Sequence, residues 1–315
     1  MKVMKRLNER EIIRVFQKEK FIPEEVEIFH LGKQLCATSI DTLVESTDIP
    51  PKSNLSDIAR KSVVSSISDF AAKGIIPKFC IISVSVPKKI SKKQIVKLAT
   101  GFRNACKEFG LELLGGDTNE GKEIVIHVVL FGKADKIVPR NNAKTGDVII
   151  TTGPFGYTSS ALQILLKKKK ATKQFSKIAK SKFFKPNPRL KFGVACKSLL
   201  SSSIDSSDGL SSCLQELSIN SKKRFVITKF PVRNDVKDFA KKNKLDLKYI
   251  ILNGGEEFEL VCTVPRKKIV KVRKIAKKLG IDLYEIGFVT RGKHVIFENG
   301  HTQLRITDVG WLHFQ

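Results

Sequence analysis

The chain has 315 residues, is 41% hydrophobic, and carries 58 Lys and Arg against 31 Asp and Glu, a formal charge of +27. That length and apolar content suit about two domains with real cores and exclude a disordered chain. No apolar run approaches the roughly 20 residues of a membrane span, and the charged start Met1-Lys2-Val3-Met4-Lys5-Arg6 leads into no signal-peptide core.

Leu7 to Phe21 reads as a polar amphipathic helix with apolar positions at Leu7, Ile12, Val15 and Phe16. Gln34 to Ile40 reads as a strand that delivers Asp41 at its end, and Pro50-Pro51 then breaks the chain. Leu55 to Lys73 has helical spacing, carries Asp69 in its last turns and stops at Gly74. Phe79 to Val86 is a continuous apolar strand. Ser91 caps a helix that runs to Phe109, with Gly110 as its stop. Leu111 to Leu114 predicts a short strand ending in Gly115-Gly116-Asp117-Thr118, and Ile124 to Phe131 a buried one. Residues 136–146 read as a linker.

Asp147 to Thr151 predicts a strand, followed by the loop Thr152 to Ser160 and a helix from Ala161. A lysine-rich stretch leads to Pro186-Asn187-Pro188 and a helix from Arg189 to Leu200. Next comes the octapeptide Ser203-Ile204-Asp205-Ser206-Ser207-Asp208-Gly209-Leu210, which opens a further helix, Leu210 to Ile219. A strand (Arg224 to Thr228), a Lys-rich helix and the turn Asn253-Gly254-Gly255-Glu256-Glu257-Phe258 follow. A helix over 266–279 and two strands close the chain before Gly310-Trp311. Helices and strands alternate, but long strands also follow one another, which favours two α+β domains over one doubly wound sheet.

The six cysteines show no CxxC spacing and sit mostly in apolar runs, as reduced core residues of a cytoplasmic protein do. The lysine excess is spread over nearly every predicted helix without interleaved aromatics, so it reads as solvated faces and argues against a nucleic-acid partner. Lys167 to Lys170 are expected to end a helix, where cations suit the dipole.

Against that cationic background, Asp41, Asp69, Asp117, Asp205 and Asp208 stand at element ends beside Ser, Thr or Gly. Each alone reads as a cap or turn residue, and Asp208 in particular as a helix N-cap. Together they form an oxygen-only set that suits Mg²⁺ on phosphates, whereas five histidines without ligand spacing exclude a zinc framework. The Thr152 to Ser160 loop is a phosphate candidate, because its glycines admit an anion before a helix start, although an ordinary strand-to-helix turn has the same look. It lacks the Gly-Lys-Ser/Thr of a Walker A loop.

The motifs Asp41-Thr-Leu-Val-Glu45, Ser68-Asp-Phe-Ala-Ala-Lys-Gly74-Ile-Ile-Pro77, Gly115-Gly-Asp-Thr118, Gly146-Asp-Val-Ile-Ile-Thr-Thr-Gly153, Ile204-Asp-Ser-Ser-Asp-Gly-Leu210 and Gly254-Gly-Glu-Glu-Phe-Glu-Leu260 cover nearly the whole chain. In that order and spacing they resemble the thiamine-monophosphate kinases of the archaeal type, within the aminoimidazole-ribonucleotide synthetase superfamily. The resemblance implies an N-terminal ATP-binding domain, residues 1–137, that forms a barrel across a homodimer. It also implies a C-terminal α+β domain, residues 138–315, with the site in the cleft between them. The implied activity is transfer of a phosphoryl group from ATP to thiamine monophosphate. Asp41, Asp69, Asp117, Asp205 and Asp208 would hold Mg²⁺, with Ser39 and Glu25 in the same shell. Asp41, Asp69 and Asp208 would be the catalytic acids. Gly116, Arg140 and Ser207 would contact ATP, and Asp48, Glu256 and Trp311 the thiamine phosphate.

The chain departs from the family pattern at four places. Pro23-Glu24-Glu25 stands for Gly-Asp-Asp, Ser39-Ile40 for paired threonines, Asp48 for a substrate histidine of bacterial relatives, and Gly255-Glu256-Glu257-Phe258 for Gly-Glu-Asp-Tyr. Other reactions of the superfamily and a non-catalytic nucleotide or nucleic-acid binder are the alternatives. Selenophosphate synthesis is disfavoured by Cys36 lying in an apolar strand, and the hydrogenase-maturation relative by an end at Phe314-Gln315 without a terminal cysteine. Glu24 and Glu25 are expected either to serve a metal or to lie solvated among Lys18, Lys20 and Lys33.

Overall fold

The helix over Leu55–Lys73 is packed on nearly every side: thirteen of its nineteen residues are buried, Lys61 and Lys73 among them. The computed structural model describes residues 9–16, 24–300, 302–308 and 310. The first unit comprises α1 (Glu9–Phe16), β1 (Glu27–Leu31), β2 (Gln34–Val44), the short α2 (Glu45–Asp48), α3 (Leu55–Lys73) and β3 (Pro77–Pro87). It is completed by α4 (Lys92–Phe109), β4 (Glu112–Gly121) and β5 (Val125–Lys133). The second opens with β6 (Val148–Thr151), α5 (Tyr157–Leu165), α6 (Lys173–Phe184), α7 (Leu190–Cys196), β7 (Ser202–Asp205) and α8 (Leu210–Ser221). It continues through β8 (Arg224–Ile227), α9 (Asn234–Lys242), α10 (Leu247–Leu252), β9 (Leu260–Val264), a 3₁₀ turn (Arg266–Lys268) and α11 (Ile269–Lys278). β10 (Tyr284–Thr290), β11 (Val295–Asn299) and β12 (Thr302–Ile306) close it.

Five strands in the order β1-β2-β5-β3-β4 form the first sheet. Its pairs are antiparallel except β3 with β4, which run parallel and are joined through α4, as a parallel pair requires a crossover. α3 and α4 cover one face, where Ile58, Val63, Ile67 and Phe70 meet Ala37, Leu43, Ile126, Val128 and Leu130. The side-chain period of two sends the alternate residues to the other face, which no described element covers. There Ile40 is 64% and Phe79 37% exposed.

The second sheet has seven strands in the order β12-β11-β8-β10-β6-β9-β7, mixed because β8 and β11 pair parallel. The two units are not loosely tethered. Ala71 and Ala72 at the end of α3 share a buried cluster with Val138, Phe192, Cys196 and Leu260. α3 is fixed at both ends: Asn54 Oδ1 accepts from the Ser56 N–H at 3.0 Å, and Gly74 closes it at φ 68°, which glycine adopts without strain.

The helix over 55–73, the capped helix to Phe109 and the strand order of elements follow the sequence reading. Cys80, Cys106, Cys196, Cys213 and Cys262 are buried and Cys36 half-buried, all as free thiols. Among the described residues no helix is long and apolar enough to cross a membrane. Several elements run further than their local pattern. β2 continues to Val44 because it stays paired with β5 as far as Val125, so Asp41 lies within a strand and not at its end. β4 continues to Gly121 against Pro87, which places Asp117 mid-strand. The lysine-rich stretch hides α6, whose Phe175, Ala179 and Phe183 form a buried i, i+4, i+8 stripe under its lysines. Lys167–Lys170 lie beyond the end of α5, not in its last turn. Three strands, not two, follow α11. Of the expected first helix, residues 7, 8 and 17–21 lie outside the described residues, as does Trp311.

Candidate active site

A single helix face carries the polar side chains of the site. Lys61, Ser65, Asp69 and Lys73 recur every four residues on α3, flanked by Ser62, Ser66 and Ser68. Four-residue spacing stacks side chains on one face, so this is a polar stripe inside a buried helix. At its middle lies a group of carboxylates. Burial first, then the charges of Asp41, Asp205 and Glu25, hold the Asp69 carboxyl well above the usual carboxylate range. Asp205, at the end of buried β7, is pushed up to about 7 by burial and by the Glu25 charge. Asp41 is raised by burial against the hydrogen bonds of Ser66 and Ser65. One Asp41 oxygen, Oδ2, is buried without a hydrogen-bond partner, and so is the Ser39 hydroxyl two residues earlier on the same strand face.

Cations balance only one end of this group. The fully buried Lys73 ammonium pairs with both Glu24 and Glu25, and donates to Val138 O and Ser203 O at 3.3 Å each. Arg140 Nε donates to Glu25 Oε1 at 2.6 Å, while its N–H donates to Glu24 Oε1 at 3.1 Å. Glu25 is therefore not solvated: its side chain is 2% exposed and shared by two cations. Among the described residues no Lys or Arg forms an ion pair with Asp41, Asp69 or Asp205, although the Arg140 charge acts on Asp205. Crowded carboxylates beside orphaned oxygens are a hard-donor set that fits Mg²⁺. Among the described residues no three His, Cys, Asp or Glu side chains converge closely enough to hold a bare metal ion. An ion here would complete its shell with water and phosphate oxygens, as Mg²⁺ commonly does.

Of these carboxylates Asp41 reaches a cleft of about 400 Å³ between the two units, lined by Asp41 and Asp48 on one side and Ser207, Asp208, Tyr249 and Glu256 on the other. The second wall is held by two backbone bonds: Glu256 N–H to Ser207 O at 2.7 Å and Phe258 N–H to Ser206 O at 3.1 Å. These force Glu256 and Phe258 into left-handed φ of 62° and 50°, a strained setting for residues with a side chain, and one that clusters at functional sites. Asp48 Oδ2 accepts from the Val44 N–H at 2.7 Å, which closes the α2 turn. Asp208 is not a helix cap: Gly209 holds the N-cap of α8, leaving the exposed Asp208 and Ser207 at the cleft.

Three expectations change. Asp117 is exposed on the edge strand, in register with Ser83, and is neither a cleft residue nor one of the charges acting on Asp69. Gly116 has a structural reason to be glycine, because a Cβ would stand 1.6 Å from Ile82 O where β4 shifts register against β3. The Thr152–Ser160 loop is filled by the chain's own carboxylates. Glu257 Oε1 accepts from Gly156 N–H at 2.7 Å and Thr158 N–H at 3.3 Å, capping α5 and starting it a turn before the expected Ala161. Glu259 accepts from Thr152 Oγ1 at 2.7 Å and, as a two-pronged pair, from Arg189 at 2.6 and 2.5 Å. The residues that sequence reasoning missed, Lys61, Lys73 and the α3 serines, carried a signal in their four-residue repeat.

Burial pushes Glu257 up to about 7 against the hydrogen bonds that favour its charge. Its folded value exceeds its unfolded one, so it costs nothing below about pH 4.5. Stability then falls as pH rises through 7, by of order 3 kcal/mol for this group. The melting temperature of Glu257→Gln should vary less than wild type between pH 4.5 and 7.5; equal slopes would place the titration elsewhere.

The chain matches the AIR synthase related protein N-terminal domain over residues 25–134 and the corresponding C-terminal domain over residues 144–298. It is 49% identical to a thiamine-monophosphate kinase of Nitrosopumilus maritimus (strain SCM1), over 99% of this chain and 100% of that one. It is 31% identical to the enzyme of that name from Pyrococcus horikoshii, over 99% and 98% of the two chains. A solved structure described as AaThiL complexed with AMPPCP and TMP superimposes with a TM-score of 0.85 at 24% identity, over 98% and 97%.

Proposed function

Since the chain belongs to the thiamine-monophosphate kinase family, we propose that it transfers the terminal phosphoryl group of ATP directly, in line, to thiamine monophosphate, giving thiamine diphosphate and ADP. The observation that carries this reading is the crowding of three carboxylates, Asp41, Asp69 and Asp205, with Asp41 on the wall of the cleft. Phosphoryl transfer demands positioning and charge neutralisation, with little covalent work for the protein. Asp41, Asp69, Asp205 and the cleft residue Asp208 would hold Mg²⁺, which when bound supplies positive charge to the phosphates. Burial keeps bulk water from the reacting phosphates. Glu24 and Glu25, held by Lys73 and Arg140, serve as the rigid wall behind this group rather than as free ligands. Ser207 stands where the nucleotide would pass, and Asp48 and Glu256 offer negative charge to the thiazolium. Trp311 remains the proposed aromatic face for that cation.

Incubating the purified protein with Mg²⁺, ATP and thiamine monophosphate should yield thiamine diphosphate in step with ADP. ADP release without that product would overturn the acceptor.

A boundary between residues 137 and 138 is supported by Ile137 packing on the first core while Val138 joins the cluster that links the end of α3 to Phe192 and Leu260. The uncovered sheet face supports a homodimer in which two such sheets close into a barrel. A contiguous exposed apolar face of this kind marks a protein interface. Ile40→Asp should therefore convert a dimer to a monomer in light scattering at micromolar concentration; an unchanged mass would move the interface elsewhere. The five buried thiols suit the reducing cytoplasm.

A further inference from the structure

Four acids line the cleft, Asp41, Asp48, Asp208 and Glu256, and among the described lining residues Lys61 is the one basic side chain. A protein of charge +27 thus keeps a locally acidic pocket for substrates that are themselves anionic phosphates. Lys61 is 1% exposed, so its ammonium has given up bulk water. What it received in exchange is limited: Glu256 Oε1 at 2.5 Å and the face of Phe183, 3.9 Å from ammonium to ring centroid. A buried ammonium has three donors and is costly unless they are used. Its neighbours Glu256 and Phe258 are held in strained left-handed backbone on the same wall.

Resting on the kinase reading above, we propose that Lys61 holds the phosphate of the acceptor, a phosphate monoester, and makes the cleft prefer the phosphorylated vitamin to the free one. Glu256 keeps the ammonium in place while the cleft is empty. When the monoester enters, its oxygens take the donors that Glu256 does not use. The Phe183 ring face and Glu256 hold the ammonium itself at the cleft wall, which reduces the ordering cost at binding. The carboxylates that suit a thiazolium would repel the phosphate attached to it, and Lys61 offsets that repulsion. It is a substrate-holding residue, distinct from the carboxylates assigned to Mg²⁺.

The test is calorimetric binding of thiamine monophosphate and of thiamine, in the presence of Mg²⁺ and AMPPCP, to wild type and Lys61→Met. Methionine keeps an unbranched side chain of similar length and removes the ammonium with its charge and donors. A charge-assisted hydrogen bond is worth roughly tenfold to a hundredfold in affinity. Lys61→Met should lose about that factor for the monophosphate and less than about twofold for thiamine. Equal losses for both ligands, or none, would overturn the assignment. If Lys61→Met does not fold by circular dichroism, Lys61→Arg carries the test. It keeps the cation and should retain the preference for the monophosphate, and loss of that preference in a folded protein would overturn the proposal. A wild type that makes thiamine diphosphate while Lys61→Met keeps the full preference refutes Lys61 alone. A wild type that neither binds nor converts the monophosphate refutes the kinase reading itself.

Discussion

Asp69→Asn should lower turnover by about 10²–10³-fold, the usual scale for removing one preorganised electrostatic contact, and at the same time raise the melting temperature of the ligand-free protein. The two effects have one cause. Asp69 is crowded by Asp41, Asp205 and Glu25, and its raised carboxyl value means that ionising it costs the folded state. With the folded value above the unfolded one, that cost is absent in acid and complete above the folded value. Asparagine keeps the shape and removes the charge, so at pH 8 it should stabilise by about 1–2 kcal/mol, within the range seen when functional strain is relieved. Melting curves and steady-state rates on the same preparation decide the matter. A variant that is both inactive and less stable would make Asp69 a structural residue, and full turnover would remove it from the phosphate site.

Lys73→Met carries the largest expected loss of stability. The lysine is fully buried between Glu24, Glu25 and two carbonyl oxygens drawn from both units of the chain. Breaking a buried pair by deleting one partner costs about 3–5 kcal/mol, because a charge is left behind. For a protein of this size that corresponds to a fall of roughly 10 °C in melting temperature. Converting Glu24 and Glu25 to glutamine in the same protein should recover part of the loss, since the orphaned charges then vanish. A melting temperature within about 2 °C of wild type for the single variant would mean that Arg140 alone satisfies the two glutamates.

Much of this was readable from the chain. Caps and stops gave the helices over 55–73 and 92–109, because Asn54, Ser91, Gly74 and Gly110 act locally. The acids Asp41, Asp69 and Asp205 were legible as islands in a basic sequence, and the structure does bring them together. What could not be read depends on distant partners. The Thr152–Ser160 loop has every local mark of an anion cradle, yet the anions are Glu257 and Glu259, a hundred residues away in sequence. Asp117 shares the other aspartates' local setting, here beside Gly and Thr, but lies mid-strand and exposed, because β4 stays paired with β3 beyond it. Glu25 was poised between solvent and metal, and only the fold reveals two cations already on it. α6 was masked by lysines on its outer face, although its buried phenylalanines keep helical spacing.

α3 has a mechanical consequence. From Lys61 to Lys73 is about 18 Å of helix at 1.5 Å per residue. Over that span the helix is embedded in the first sheet's core, the cleft wall and the inter-unit seam. A hinge that opened the cleft by swinging one half away from the other would have to tear Lys73 from the carbonyl oxygens of Val138 and Ser203 and split the Ala71–Phe192 cluster. The molecule should therefore admit and release its ligands as a rigid mortise does, through small yielding parts at the rim. Backbone amides along 58–72 should be among the slowest in the protein to exchange with deuterium, whether the cleft is empty or filled, while those of α2 and the 253–258 turn change with occupancy.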